Sequence, residues 1–187
     1  MRIIGGKMKG SSLFIPLNKN TRPLKDLARE SIFNLLVHSK KISFELKKSN
    51  ILDLFAGTGS FGLECISREA ENVSFVEKEK EAIKILKKNI EKLNVQKVSS
   101  IYPIDVINFI KKNTNQKFDL IFFDPPFNEK NIKNIIELIF IKQLLKKNGI
   151  LIIHRNKNTI DDIPKNFHKI EERTYGISKI IFGNFLS

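Results

Sequence analysis

Cysteine is nearly absent. With only Cys65 in 187 residues the chain can form no internal disulfide, which agrees with a reducing compartment. Histidine is scarce as well, and His38, His154 and His168 lie too far apart for a recognisable metal-site spacing, so no metal is expected. No run of 18 apolar residues occurs, which excludes a transmembrane helix. The opening residues, Met1-Arg2-Ile3-Ile4-Gly5-Gly6-Lys7, hold no apolar core long enough for a secretory signal. A disulfide scaffold, a membrane protein and a sequence-evident zinc protein are thereby set aside, and a cytoplasmic protein is expected. Acidic residues are missing too, at one place: residues 1–25 contain none.

What is present is positive charge. Thirty-three Lys and Arg against twenty Asp and Glu give a net charge of +13. Residues 1–50 hold eleven basic and three acidic residues, a net +8 in about a quarter of the chain. A composition merely rich in lysine would spread the excess more evenly. The concentration points to a polyanionic partner, bound through steering and counterion release, and nucleic acid is the expectation.

Hydrophobic patterning divides the chain. Residues 2–17 read as two short strands around the turn Lys7-Met8-Lys9-Gly10-Ser11-Ser12. After Arg22-Pro23, where proline blocks helix at the preceding residue, Leu24, Leu27, Ala28, Ile32, Leu35 and Leu36 recur at helical spacing over 24–38. Short apolar runs then alternate with amphipathic segments. Strands are expected over 51–55, 73–77, 98–102, 120–123 and 150–154, with helices over 61–68, 80–93, 106–112 and 132–146. Runs such as Leu120-Ile121-Phe122-Phe123 suit a sheet covered on both faces. Residues 167–175 and 177–186, separated by Gly176, read as an antiparallel pair. The expected fold is α/β and Rossmann-like: a mostly parallel seven-stranded doubly wound sheet, with a hairpin-and-helix extension over 1–40 and the main domain over 41–187. A small single domain with one basic face predicts a monomer.

Two motifs carry chemistry. The first, Asp53-Leu54-Phe55-Ala56-Gly57-Thr58-Gly59-Ser60-Phe61-Gly62, sits where the first strand of the sheet becomes a helix, and its glycine spacing matches a dinucleotide fingerprint. Glycines let the backbone turn sharply and let a ligand approach closely. Glu77 ends the second strand, where an acid grips a ribose hydroxyl pair. Asp53 ends the first strand, facing the expected cleft. A carboxylate there repels a pyrophosphate but attracts the ammonium and sulfonium of S-adenosylmethionine, which favours that cofactor over NAD or FAD. Asp105 follows the third strand and fits either an adenine ligand or the N-cap of the next helix.

The second motif, Asp124-Pro125-Pro126-Phe127, follows the most apolar strand. Its prolines remove two backbone donors and stiffen the chain, leaving the Asp124 carboxylate and the Pro125 carbonyl as fixed acceptors. Two acceptors holding the hydrogens of an exocyclic amino group favour a geometry in which its lone pair faces a methyl donor. Phe127 is placed to stack on the base. Such a base must be flipped out or unpaired.

Together these motifs resemble those of the class I S-adenosylmethionine-dependent methyltransferases that act on amino or amide nitrogens. The N-terminal segments Arg2-Ile3-Ile4-Gly5-Gly6-Lys7-Met8-Lys9-Gly10, Arg22-Pro23 and Arg29-Glu30-Ser31-Ile32-Phe33-Asn34, with Val76-Glu77-Lys78, are similar to those of the RsmD family, the 16S ribosomal RNA guanine-N2 methyltransferases. The resemblance implies that Asp53, Phe55, Ala56, Gly57, Thr58, Gly59, Glu77, Lys78 and Asp105 surround S-adenosylmethionine. It also implies that Asp124, Pro125, Pro126 and Phe127 are catalytic, that the N-terminal hairpin holds RNA, and that 16S rRNA or the small ribosomal subunit is the partner. Arg2, Lys7, Lys9, Arg22 and Arg29 are the expected phosphate contacts, although Arg29 also fits an ordinary helix surface. Leu24 stands where threonine commonly follows Arg-Pro, Phe127 replaces tyrosine, and His154-Arg155 stands where many members have an acid. His154 is therefore read as an exposed or RNA-facing strand-end residue without a catalytic role. A DNA amino-methyltransferase, a protein glutamine methyltransferase and a non-catalytic RNA-binding assembly factor are the competing readings. The first normally needs a separate recognition region, the second asparagine at position 124, and the third has no use for both intact motifs.

Overall fold

A computed structural model of the chain describes residues 1–16, 26–112 and 115–186. Helix α1 (Asp26–His38) precedes an alternation of β1 (Asn50–Leu54), α2 (Ser60–Ser67), β2 (Asn72–Val76), α3 (Lys80–Lys92), β3 (Ser99–Tyr102), α4 (Val106–Lys112), β4 (Phe118–Phe123), α5 (Ile132–Ile141) and β5 (Leu145–Asn156). Strands β6 (Phe167–Tyr175) and β7 (Ser178–Phe185) complete one seven-stranded sheet in the order β3-β2-β1-β4-β5-β7-β6. Strands β1 to β5 pair in parallel, while β7 runs antiparallel to both β5 and β6. The tail is thus the expected antiparallel pair. Its second strand, rather than its first, inserts beside β5.

Because side chains alternate along a strand, the sheet sorts its residues into two cores. Ile51, Phe75, Phe122, Ile152 and Phe182 lie on one face with α2 and the N-terminal segment. Leu54, Val76, Phe123, Ile153 and Ile181 lie on the other with α4 and α5. On the first face Phe33 of α1, Phe61 of α2 and Phe122 of β4 form a stack with ring centroids 5.3 and 3.9 Å apart. This stack ties α1 to the sheet directly beneath the strand end that carries Asp124.

The same alternation places the polar residues. Counting on by two from Ile51, Phe75, Phe122 and Ile152 reaches Asp53, Glu77, Asp124 and His154, all on the first face at the C-terminal edge of β1, β2, β4 and β5. Arg155 falls on the opposite face.

Two expectations are corrected. Among the described residues the N-terminal strands reduce to a single antiparallel bridge, Arg2 with Ser12, extended by Ile3 N–H to Ser11 O and Leu13 N–H to Met1 O. Ile3 and Leu13 nevertheless enter the same core as the sheet. Helix α5 stops at Ile141 instead of reaching residue 146, because Gln143 takes a left-handed φ of 50° and Leu145 already begins β5. Residues 24 and 25, read as the start of the first helix, lie outside the described residues. Among the described residues no helix is long and apolar enough to cross a membrane.

Candidate active site

The loop Phe55-Ala56-Gly57-Thr58-Gly59 turns the chain from β1 into α2. Phe55, Gly57 and Gly59 all have left-handed backbone, with φ of 60°, 56° and 84°. Gly59 is required twice over, since a Cβ there would also stand 2.3 Å from Leu86 Cδ1. Gly57 is different: a Cβ would meet nothing within 4 Å, so open space lies over the loop at that point. Phe55 holds a bulky side chain in a conformation that such residues avoid, with its ring against Phe123 at 5.8 Å. Backbone strain of this kind persists only where the surroundings fix it.

Glu77 supplies that fixing. Its carboxylate accepts the Gly57 N–H at 2.8 Å on one oxygen and the Lys78 and Glu79 N–H groups at 2.8 and 2.9 Å on the other. Asp53 lies under the loop, 1% exposed, and accepts the Gly62 N–H at 3.0 Å. It therefore braces the start of α2 and does not face an open cleft as the sequence suggested. Burial pushes its carboxyl up to about 8; the Gly62 hydrogen bond opposes this, and the nearby Asp124 and Glu77 charges add to it. Asp105 takes the capping role left open above: Oδ1 accepts the Ile107 N–H at 3.0 Å, while Oδ2 lies 3.5 Å from Lys78 Nζ. Thr58 is buried, and its carbonyl accepts a hydrogen bond from Asn89 at 3.1 Å. Asn89 also grips the Phe14 backbone, accepting its N–H at 2.7 Å and donating to its carbonyl at 3.2 Å. The N-terminal segment and the glycine loop thus share one side chain.

Asp124 stands next to this loop, its N–H directed to Leu54 O at 3.4 Å. Its Oδ1 lies 2.7 Å from His154 Nδ1. His154 is 6% exposed, which corrects the reading of a solvent-facing or RNA-facing residue. The Phe127 ring meets the imidazole edge-on, with centroids 6.2 Å apart. From the other face Arg155, 2% exposed, pairs with the Asp161 carboxylate at 2.9 to 3.1 Å. Its Nη1 donates to Pro126 O at 3.0 Å, and Nη2 lies 3.4 Å from the carbonyls of Phe127 and Glu129. The Asp-Pro-Pro-Phe segment is therefore held from both sides by consecutive residues of β5. Burial pushes the Cys65 thiol well up, which leaves it an inert core residue.

The basic residues separate into three groups. Arg2, Lys7 and Lys9 are exposed. Arg22 lies outside the described residues. Arg29 is fully buried, with Nη1 3.2 Å from Met1 Sδ and Nη2 donating to Arg2 O. Its guanidinium fastens the chain start to α1 and has no surface to offer a phosphate, so it is not a phosphate contact. Lys7 sits at the C-terminal end of α2, where its N–H bonds Ser67 O and its ammonium pairs with Glu69, both at 2.8 Å or less. That is the edge of the sheet opposite Asp124. Glu64, fully buried in α2, accepts the Ile4 and Gly5 N–H groups at 2.7 Å each and so seats the hairpin.

Sequence reasoning missed Glu64, Asn89, His154, Arg155 and Asp161. For Glu64 a signal existed, a lone acid in the apolar helix Ser60-Phe61-Gly62-Leu63-Glu64-Cys65-Ile66-Ser67. For Arg155 the signal was a charge ending a run of buried strand residues.

A glycine loop over β1, a carboxylate at the end of β2 and an Asp-Pro-Pro-aromatic corner at the end of β4, on a sheet whose seventh strand is reversed, define a class I methyltransferase. The relatives agree. Ribosomal RNA small subunit methyltransferase D of Buchnera aphidicola is 36% identical over 165 residues, covering 88% of this chain and 83% of the relative. The protein of the same name from Haemophilus influenzae is 32% identical over 179 residues, with 95% and 90% covered. The solved structure of the Escherichia coli protein yhhF superposes with a TM-score of 0.83 at 25% identity, covering 99% of this chain and 97% of that one. Residues 1–184 match the family described as Conserved hypothetical protein 95, and the chain belongs to this family, the RsmD family.

Proposed function

We propose that this chain transfers a methyl group from S-adenosylmethionine to the exocyclic N2 of a guanine in 16S ribosomal RNA, as a cytoplasmic monomer. The observation that carries the reading is the adjacency, at the ends of β1 and β4, of an open glycine loop and the Asp124-Pro125-Pro126-Phe127 corner. When bound, S-adenosylmethionine supplies an electrophilic methyl group on a cationic sulfur. The residues present suit it. Gly57 leaves room over the loop that Ala56 and Thr58 help form, Glu77 holds the loop backbone as an acceptor, Lys78 joins that segment to Asp105, and Glu77 and Asp124 bring carboxylates to the edge. A cation brought beside Asp53 favours its ionised form.

Asp124 Oδ2 and the Pro125 carbonyl accept the two hydrogens of the guanine amino group. The nitrogen lone pair, otherwise delocalised into the ring, is then turned toward the methyl donor, and Phe127 holds the base by stacking. Asp124 is also placed to take the proton that the methylated nitrogen must release. The base enters splayed from its strand. Exposed Arg2, Lys7 and Lys9 hold phosphates, as does Arg22. The test is mass spectrometry of nucleosides from small-subunit RNA incubated with protein and labelled donor. N2-methylguanosine is the expected product; label in any other nucleoside, or none, rejects the guanine assignment.

A further inference from the structure

We propose that His154 is a positioning residue for methyl transfer, orienting the Asp124 carboxylate so that Oδ2 alone faces the amino group. The inference rests on the reading that Asp124 handles that group. Its basis is the approach of His154 Nδ1 to within 2.7 Å of Asp124 Oδ1, made across two adjacent parallel strands. With Asp124 ionised, the shared hydrogen lies on Nδ1, which donates. Among the described residues the other ring nitrogen, Nε2, is buried without a hydrogen-bond partner. Most buried side-chain nitrogens that serve only the fold are partnered. Here the single polar tie of the ring goes to the carboxylate that the reaction uses.

The surroundings make the tie rigid. His154 lies opposite Ile180 of β7 and on the same face as Phe122 and Ile152, all buried, so the imidazole cannot swing aside without displacing the core. Its edge also meets the Phe127 ring, so one side chain touches both the acceptor and the stacking member of the corner. A carboxylate on its own rotates about χ2 and offers either oxygen. Occupying Oδ1 removes that freedom before substrate arrives, which is preorganisation of the kind that raises kcat more than it lowers KM.

Steady-state methyl transfer to small-subunit particles, with total label and nucleoside identity measured separately, tests this. H154L lowers kcat by about 10- to 100-fold, with donor Kd and RNA Kd within about two-fold of the native protein. H154N keeps an amide N–H where Nδ1–H was and recovers kcat to within about five-fold. Should H154L not fold, H154Q, whose amide stands where Nε2 was, takes its place in the comparison. A second readout needs no turnover: the downfield Nδ1 proton resonance of His154 is present in the native protein and shifts in D124A. The proposal is overturned if H154L keeps native kcat, if H154N falls as far as H154L or H154Q, or if the resonance ignores D124A. Loss of label with H154L and its recovery with H154N support the positioning role whichever nucleoside carries the methyl group, so a wrong guanine assignment shows itself separately.

Discussion

Asp124 and Asp53 are both carboxylates at strand ends on one face of the sheet, yet their surroundings give them different work. Asp124 is 23% exposed at its side chain and shares one oxygen with His154, so it can meet a substrate. Asp124→Ala is expected to abolish methyl transfer while donor affinity, measured calorimetrically, stays within a few-fold; equal loss of both would assign Asp124 to cofactor binding. Asp53 is sealed under the loop, and burial raises its carboxyl from 3.8 to about 8. Over that window the folded protein holds a proton that the unfolded chain has lost. The contribution of this group to stability is therefore full below about pH 4 and declines as pH rises toward about 8, with a slope approaching one proton. Chemical denaturation across that range should show the decline in the native protein and a flatter profile in Asp53→Asn. A profile unchanged by the substitution would contradict the shift. The sequence placed both acids at strand ends from motif spacing alone. It could not tell an exposed carboxylate from a sealed one, because that depends on how α2 folds back over β1. Arg29 failed in the same way: helical spacing puts it on a helix but does not show that its guanidinium is enclosed by the chain start.

The end of β5 is the element on which the corner depends. His154 and Arg155 point to opposite faces, and between them they hold the side chain of Asp124 and the backbone of 126–129. Arg155→Leu leaves Asp161, itself 8% exposed, without its cationic partner and, among the described residues, with only the Thr159 hydroxyl at 3.2 Å. Breaking a buried pair from one side costs about 3–5 kcal/mol. Arg155→Leu is therefore expected to lower Tm clearly and to raise KM for RNA through a loosened Phe127. Adding Asp161→Asn should restore part of the lost Tm, whereas additive losses would show that the pair is not a unit. The parallel strands were legible because apolar runs of four to six residues alternate with helical spacing. The full length of β5 was not, because Leu145-Lys146-Lys147-Asn148-Gly149 reads as the fraying end of a helix. Its strand character comes from pairing with Phe118, which periodicity does not reveal.

Across the whole molecule the positive charge surrounds the fold unevenly. Lys7 and Lys9 lie at the turn of the N-terminal hairpin, beyond the C-terminal end of α2, so they reach RNA only if the substrate wraps past the reacting edge. Replacing both by alanine should reduce the slope of log Kobs against log salt by about 0.7–0.9 for each phosphate left without its cation. Lys7 already pairs with Glu69 at 2.8 Å, so the larger share should come from Lys9. An unchanged slope would remove the hairpin turn from the interface. The charge excess of residues 1–50 was readable from composition, but its position relative to the reacting edge needed the topology.

Asn89 joins two ends of this system, fastening Phe14 with a pair of hydrogen bonds and the Thr58 carbonyl with a third. Shortening the polypeptide at its amino terminus would therefore do more than strip away cations. It would leave an amide unmoored beneath the glycine loop, and a truncation intended to weaken RNA capture would disturb the proposed donor site as well.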